Sequence, residues 1–235
     1  MKTATQREAG FDNYAGNYDE SLAQGLAVSG ESREYFARGR LAWLADLLHK
    51  RQERVQRVMD FGCGTGAATP FLFELLRAAE VRGVDVSARA LKVAQQTYGS
   101  ASAQFSLLSD YQAEGAFDLV FCNGVFHHIP PGERAAALDF IYRALRPGGL
   151  FALWENNPWN PGTRYVMSRC PFDHDAITLS PPEARRLVQG GGFRHLRTDF
   201  LFIFPAALRW LRPVEPSLAR WPFGAQYQVL SAKPR

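Results

Sequence analysis

Cysteine is scarce in this sequence, and the three present, Cys63, Cys122 and Cys170, stand far apart with neither CxxC nor metal-ligand spacing. That excludes a disulfide framework and a cysteine-based zinc site, and it fits a reducing cytoplasm. Lysine is sparse as well: of 27 basic residues only Lys2, Lys50, Lys92 and Lys233 are lysines, and no continuous basic run exists. The formal charge of +4 is spread among acids along the chain, the pattern of a solvated surface rather than a nucleic-acid-binding face. No apolar stretch approaches the roughly 20 residues of a membrane span, and Met1 to Gly10 lacks an apolar signal core. A soluble cytoplasmic protein is expected, with no nucleic-acid partner and no stable membrane insertion, peripheral contact aside. Internal repeats and low-complexity linkers are also missing, so 235 residues with 46% hydrophobic content read as one domain, 1–235.

What is present is alternation. Residues 1–50 carry aromatics and then an amphipathic run, Glu34 to Leu48, with Tyr35, Arg38, Leu41, Leu44, Leu47 and Leu48 near helical spacing, and read as N-terminal helices. Across 57–154 short β-rich runs alternate with helical ones: Val58 to Phe61, then Pro70 to Ala79; Val81 to Val86, then Ala88 to Tyr98; Gln104 to Leu108; Phe117 to Cys122, then Glu133 to Leu145; Leu150 to Trp154. That order predicts a parallel sheet with crossover helices. In 155–235 a loop rich in Asn and Pro precedes a helix from Pro182 to Gln189 closed by Gly190, Gly191 and Gly192, and then strands at Phe193 to Phe204 and Gln226 to Ala232. The segment Pro205 to Gly224 between those strands is too long for a hairpin turn and reads as an insertion over one end of the sheet.

The densest signal is Val58-Met59-Asp60-Phe61-Gly62-Cys63-Gly64-Thr65-Gly66, an apolar strand ending in an acid and entering three alternating glycines before a helix. Such glycines let the backbone turn sharply and lie against a ligand at the carboxyl edge of the sheet. A dinucleotide fold opens in a related way, but as GxGxxG, with a pyrophosphate at the helix N-terminus. Here the spacing is GxGxG, and Asp60 would repel a phosphate while helping to hold an α-ammonium group, directly or through water. A cationic amino acid joined to adenosine fits better than NAD, which disfavours an NAD-linked oxidoreductase. Asp85 closes the second strand, roughly 20 residues beyond the glycines, where a carboxylate accepts hydrogen bonds from a ribose diol; the competing reading is a helix cap or solvated acid.

These residues resemble the class I S-adenosylmethionine-dependent methyltransferases. Phe117 to Pro130, including Asn123, His127 and His128, is similar to that family's fourth-strand motif, and Leu145 to Leu150 to its turn into the fifth strand, so the resemblance spans 57–154. It implies a Rossmann-like α/β fold: a seven-stranded, mostly parallel sheet with helices on both faces, N-terminal helices, and C-terminal insertions forming a lid. It also implies S-adenosyl-L-methionine as cofactor, S-adenosyl-L-homocysteine as product, and binding by Asp60, Gly62, Cys63, Gly64, Gly66, Asp85 and Val86. By position, Asp110 would contact the adenine amino group or be a plain turn acid, Tyr111 would flank the ring, and Asn123, Gly124 and His127 would lie near the methionine end. The segment Phe11 to Asp19 resembles the one that precedes the sheet in ubiquinone and menaquinone biosynthesis methyltransferases, where it folds over the cofactor. Tyr14 and Tyr18, one helical turn apart, then face one cleft as cofactor or substrate contacts, or else pack as core aromatics of a lid helix.

A sulfonium methyl is already electrophilic, so the remaining work is alignment, exclusion of water and, for a hydroxyl acceptor, removal of a proton. The residues of a type to do that are His127, His128 and Glu155, with packing or backbone bonding as the other use of a histidine there. Asn156, Arg164 and His174 are the candidate acceptor contacts. Asn156-Asn157-Pro158-Trp159 is similar to the Asn-Pro-Pro-Tyr motif of amino-methylating nucleic-acid enzymes, but it follows the fifth strand rather than the fourth, which argues against base modification. Asp173-His174-Asp175 shows no complete ligand set, so it reads as a surface turn and no metal is expected. The expected function is methyl transfer to a small-molecule acceptor through oxygen; the alternatives are a lipid or quinone-like acceptor, or a non-catalytic cofactor-binding module. Phe200 to Pro213 reads as a strand running into a buried lid helix, with the other reading an apolar face whose Arg209 and Arg212 meet anionic headgroups.

Overall fold

The computed structural model describes residues 29–170, 173 and 175–235. Along the chain, helix α1 (Arg33–Lys50) precedes strand β1 (Arg57–Phe61), α2 (Thr69–Leu76), β2 (Glu80–Asp85), α3 (Ala88–Tyr98), β3 (Ala103–Leu107) and β4 (Phe117–Asn123). Then follow α4 (Arg134–Ala144), β5 (Leu145–Asn156), α5 (Pro161–Arg169), α6 (Pro181–Gly190), β6 (Arg194–Leu201), a 3-10 segment (Ala206–Val214), α7 (Glu215–Leu218) and β7 (Gln226–Ala232). The strands form one sheet in the order β3-β2-β1-β4-β5-β7-β6. Pairs β1·β2, β2·β3, β1·β4 and β4·β5 are parallel, whereas β7 runs antiparallel to both β5 and β6.

Parallel strands carry apolar residues on both faces because helices cover both. Val58, Leu119, Phe121, Leu150, Ala152 and Trp154 face the core under α1 and α2, together with Leu41 and Leu44. Their neighbours Met59, Phe61, Val120, Cys122, Phe151 and Leu153 face the other way, into the core that includes Ile141 of α4 and Val188 of α6. Strand order reverses between β1 and β4, and this switch point opens the crevice in which open α/β sheets bind ligands.

The helices begin where short polar side chains satisfy the first backbone donors. Ser32 accepts from the Tyr35 N–H, Ser87 from Ala90 and Asn160 from Thr163, the last at 3.0 Å. In α1 the buried stripe runs through Phe36, Ala37, Arg40, Leu41, Leu44, Leu47 and Leu48, so the expected Leu positions hold while Arg38 lies outside the stripe.

Two expectations are corrected. The stretch after Glu155 is not all loop, because Asn160 as cap with Pro161 at the first turn starts α5. The segment after Phe204 is not a buried lid helix: no residue of Ala206–Val214 is buried, and Trp210 is 71% exposed. Pro205 before it, Pro213 within it and a kink at Leu208 hold it to 3-10 geometry, which cannot present a continuous apolar stripe. Arg212 is engaged on the protein itself, with Glu31 at 2.7 Å and its guanidinium over the Tyr35 ring. It is therefore not turned outward to meet headgroups.

Gly83 in β2 shows how tightly the crevice floor is packed: a Cβ there would lie 2.4 Å from Phe105 Cδ1 and 2.8 Å from Cys63 Sγ. Gly83→Ala is expected to cost about 1–3 kcal/mol through overpacking, seen as a lower urea midpoint at unchanged slope. A wild-type midpoint would mean that Phe105 and Cys63 move aside freely.

Candidate active site

A cavity of about 620 Å³, within the range of small-molecule sites, lies over the carboxyl ends of β1, β2 and β4. Its floor is the glycine loop. Gly62, Gly64 and Gly66 all hold left-handed φ values, of 72°, 52° and 79°. At Gly62 a Cβ would strike Val125, and at Gly66 it would crowd Tyr98 and Ala94; at Gly64 nothing among the described residues lies within 4 Å. Gly62 and Gly66 thus serve packing, whereas Gly64 leaves open space. Its N–H donates to Asp85 Oδ2 at 2.8 Å, while Asp85 Oδ1 accepts from the Ser87 N–H at 2.9 Å. Asp85 therefore clasps the loop to the end of β2, and it lines the cavity beside Val86.

Asp60 is buried at the same floor. Burial first, and then the nearby Asp85 charge, raise its carboxyl to about 7, with Arg40 of α1 opposing. Burial, followed by Asp60 and Asp85, also pushes the Cys63 thiol up, so this cysteine is a neutral wall rather than a nucleophile.

A second polar cluster sits at the far side of β4. His127 Nδ1 lies 2.5 Å from Glu155 Oε2, and Glu155 Oε1 accepts from the Phe126 N–H at 2.8 Å. His127 Nε2 and His128 Nε2 each lie 3.5 Å from Asp173 Oδ1. Burial alone would lower His127, but Glu155 and Asp173 override it and raise the imidazole to about 10. Burial and the charge of His127 push His128 down to about 2. Buried Arg134 fastens the two loops together, donating to the carbonyls of Phe126, Ile129 and Ile177, while the Ile177 N–H donates to the His127 carbonyl at 2.8 Å.

The remaining wall comes from parts distant in the chain. Thr163, Val166, Met167 and Cys170 line it from α5 and its end, the i, i+3, i+4, i+7 face of that helix. Phe202, Ile203 and Phe204 line it after β6, and Phe36 and Arg40 from α1. Phe202 holds a φ of 62°, its ring edge-on to Phe36 at 4.8 Å, with Gly39 leaving room for it.

Of the residues expected from sequence, Asp60, Gly62, Cys63, Gly64, Asp85, Val86, Asn123, Gly124, His127, His128 and Asn156 line this cavity. Gly66 supports the loop from behind, and Glu155 stands behind His127. Asp110 and Tyr111 are not part of the lining: Asp110 is exposed and bonded to Ser109, and Tyr111 packs among Phe117, Phe140 and Arg82. Leu108 lines the cavity at that edge instead. Arg164 is exposed on the outer face of α5, which follows from the helix that the loop reading omitted. Tyr14, Tyr18 and His174 lie outside the described residues. Sequence reasoning missed Arg40, Met167 and Phe202; the cap signal Asn160-Pro161 would have revealed the first turn of α5 and hence its inner face.

Residues 59–151 match the family described as a methyltransferase domain. The trans-aconitate 2-methyltransferase of Pseudomonas paraeruginosa is 34% identical over 158 residues, 66% of this chain and 56% of that protein. The ubiquinone biosynthesis O-methyltransferase of Thiobacillus denitrificans is 32% identical over 152 residues, 58% of this chain and 64% of its own length. The chain thus spans less than two thirds of the length of these curated relatives. The magnesium protoporphyrin IX methyltransferase of Synechocystis PCC 6803, solved with bound SAH, shares the fold with a TM-score of 0.65 over 98% of this chain and 100% of its own, at 16% identity. Sheet order, glycine loop and the family match together identify residues 59–151 as a methyltransferase domain of the class I S-adenosylmethionine-dependent kind.

The Asp60 shift has a measurable sign. Because its carboxyl rises from 3.8 to about 7 in the fold, the stability it contributes is full below about pH 3.8 and is lost as pH rises through about 7. In ligand-free protein, Asp60→Asn should therefore gain stability relative to wild type between pH 5 and pH 8.5, read as a widening gap in urea midpoints. A gap independent of pH would mean that Asp60 ionises as an ordinary carboxyl.

Proposed function

We propose that the protein transfers a methyl group from S-adenosylmethionine to an oxygen of a small-molecule acceptor. The observation that carries this reading is Gly64, left-handed, lining the cavity, with its N–H held by Asp85. The residues present fit the cofactor. Asp60, a carboxyl buried at the cavity floor, suits the α-ammonium group, and Asp85, which lines the cavity at the end of β2, suits a ribose diol. Gly62, Cys63, Gly64 and Val86 would form the surface beneath, and Asn123 and Gly124 the methionine end. When bound, S-adenosylmethionine supplies an electrophilic sulfonium methyl.

The chain's own part is to hold the acceptor in line and to keep water out. Val166, Met167, Phe202 and Phe204 offer apolar wall, with Asn156 and Asn160 as polar points among them, a mixture suited to a small organic acceptor. Oxygen as the acceptor atom is supported by the O-methyltransferase among the relatives. Neither imidazole is matched to general-base work, which is strongest near the operating pH: His127 lies too high and His128 too low. We therefore read the wall that His127 and His128 form as the acceptor side of the cavity, and Glu155 as positioning His127. An acceptor oxygen that arrives ionised, a carboxylate or an acidic phenol, needs no base.

S-adenosylhomocysteine should bind and raise the melting temperature, by the equivalent of about 2.7 kcal/mol at a hundredfold excess over its dissociation constant. Asp85→Ala should weaken it roughly 10- to 100-fold by calorimetry, the scale of hydrogen bonds to a charged group. With methyl-labelled S-adenosylmethionine, label should appear on carboxylic or phenolic members of an acceptor panel. An unchanged melting temperature at millimolar ligand would remove the proposal. Tight binding with no transfer to any acceptor would leave a binding module.

A further inference from the structure

We propose that His127, His128 and Asp173 bind a divalent transition-metal ion at the wall of the cavity beyond the end of β4. One ligand atom from each of these residues lies within 4.8 Å of the other two, and all three residues line the cavity. Both imidazole Nε2 atoms stand 3.5 Å from Asp173 Oδ1. That is long for a hydrogen bond, but it is the spacing of neighbouring ligands around one ion: metal–ligand bonds of about 2.0–2.2 Å at tetrahedral angles put ligand atoms about 3.4 Å apart. Two histidines and one carboxylate leave open coordination positions, as catalytic metal sites do.

The surroundings are those of a built site. His127 presents Nε2 because its Nδ1 is held by Glu155, the carboxylate–histidine arrangement that orients metal-ligating imidazoles. Glu155 is itself fixed by the Phe126 N–H. Asp173 comes from a different loop, and that loop is fastened onto the histidines by the Ile177 N–H on the His127 carbonyl and by Arg134 on the Ile177 carbonyl. The side chains of His127 and Asp173 are 3% and 7% exposed, and that of His128 is 16% exposed, so an ion there would be shielded but reachable from the cavity.

Oxygen donors such as the hydroxyl or carboxylate of an acceptor are what the open positions would take, and a hydroxyl so held ionises more readily. That role in methyl transfer rests on the function proposed above; the metal site does not.

The test uses the full chain. Protein freed of metal with a chelator and then equilibrated with zinc should retain about one ion per chain by mass spectrometry. Asp173→Asn and His128→Gln should each weaken zinc binding roughly tenfold or more. Cobalt in place of zinc should give the visible absorption of a four- or five-coordinate ion in wild type and lose it in both variants. Retained S-adenosylhomocysteine binding shows that each variant is folded and separates failure of this site from failure of the cofactor reading. Absence of stoichiometric metal in wild type overturns the proposal whatever the variants do, and so does zinc binding unchanged in a folded variant.

Discussion

Two carboxylates close neighbouring strands at the floor of one cavity, and the rest of the site follows from keeping them there. Asp85 spends one oxygen on the Gly64 N–H and the other on the Ser87 N–H, so the glycine loop, the end of β2 and the start of α3 are joined through one side chain. Asp60, behind the loop, is deprived of water and raised by the Asp85 charge, with Arg40 opposing. A fold that retains two such acids at one cavity floor stores an electrostatic demand that a cationic ligand relieves. Stability in the free protein is exchanged for affinity, as is common where a site must be ready before its ligand arrives.

The far wall obeys a different logic. It is assembled from α1, the stretch from α5 to Asp173, and the turn after β6, three parts far apart in sequence. What unites these pieces is a set of buried polar links: Glu155 to His127, Arg134 to three carbonyls, and Asn157 to the carbonyls of Pro222 and Gly224. In a low-dielectric setting such bonds fix geometry because leaving any one of them unmade is costly.

This division explains what was legible in the sequence. The strands were readable because parallel strands buried on both faces become short apolar runs, and α3 matches its expected bounds because Ser87 caps it and Gly99 ends it. The floor acids and glycines were readable because their role is local to a strand and its turn. Helix α5 was not, since its inner face, Thr163, Val166 and Met167, is short and begins inside a segment rich in Asn and Pro. Arg164 was misjudged with it. The meeting of Asp173 with His127 and His128 depends on a tertiary fastening by Arg134 that no local pattern announces. Trp210 misled in the opposite direction: an apolar run suggests core, but the prolines around it deny the regular helix that would have buried it.

The placement of β7 has a consequence for how the chain is made. Because β7 lies between β5 and β6, β5 has no neighbour on that side, and β6 no neighbour at all, until residues 226–232 have been synthesised. The nascent chain therefore carries the edge of a largely apolar strand, Leu150 to Trp154, exposed through the making of more than a quarter of its length. Such an edge is open to pairing with other chains. When β7 enters, it adds Tyr227 and Val229 to one core and Leu230 and Ala232 to the other.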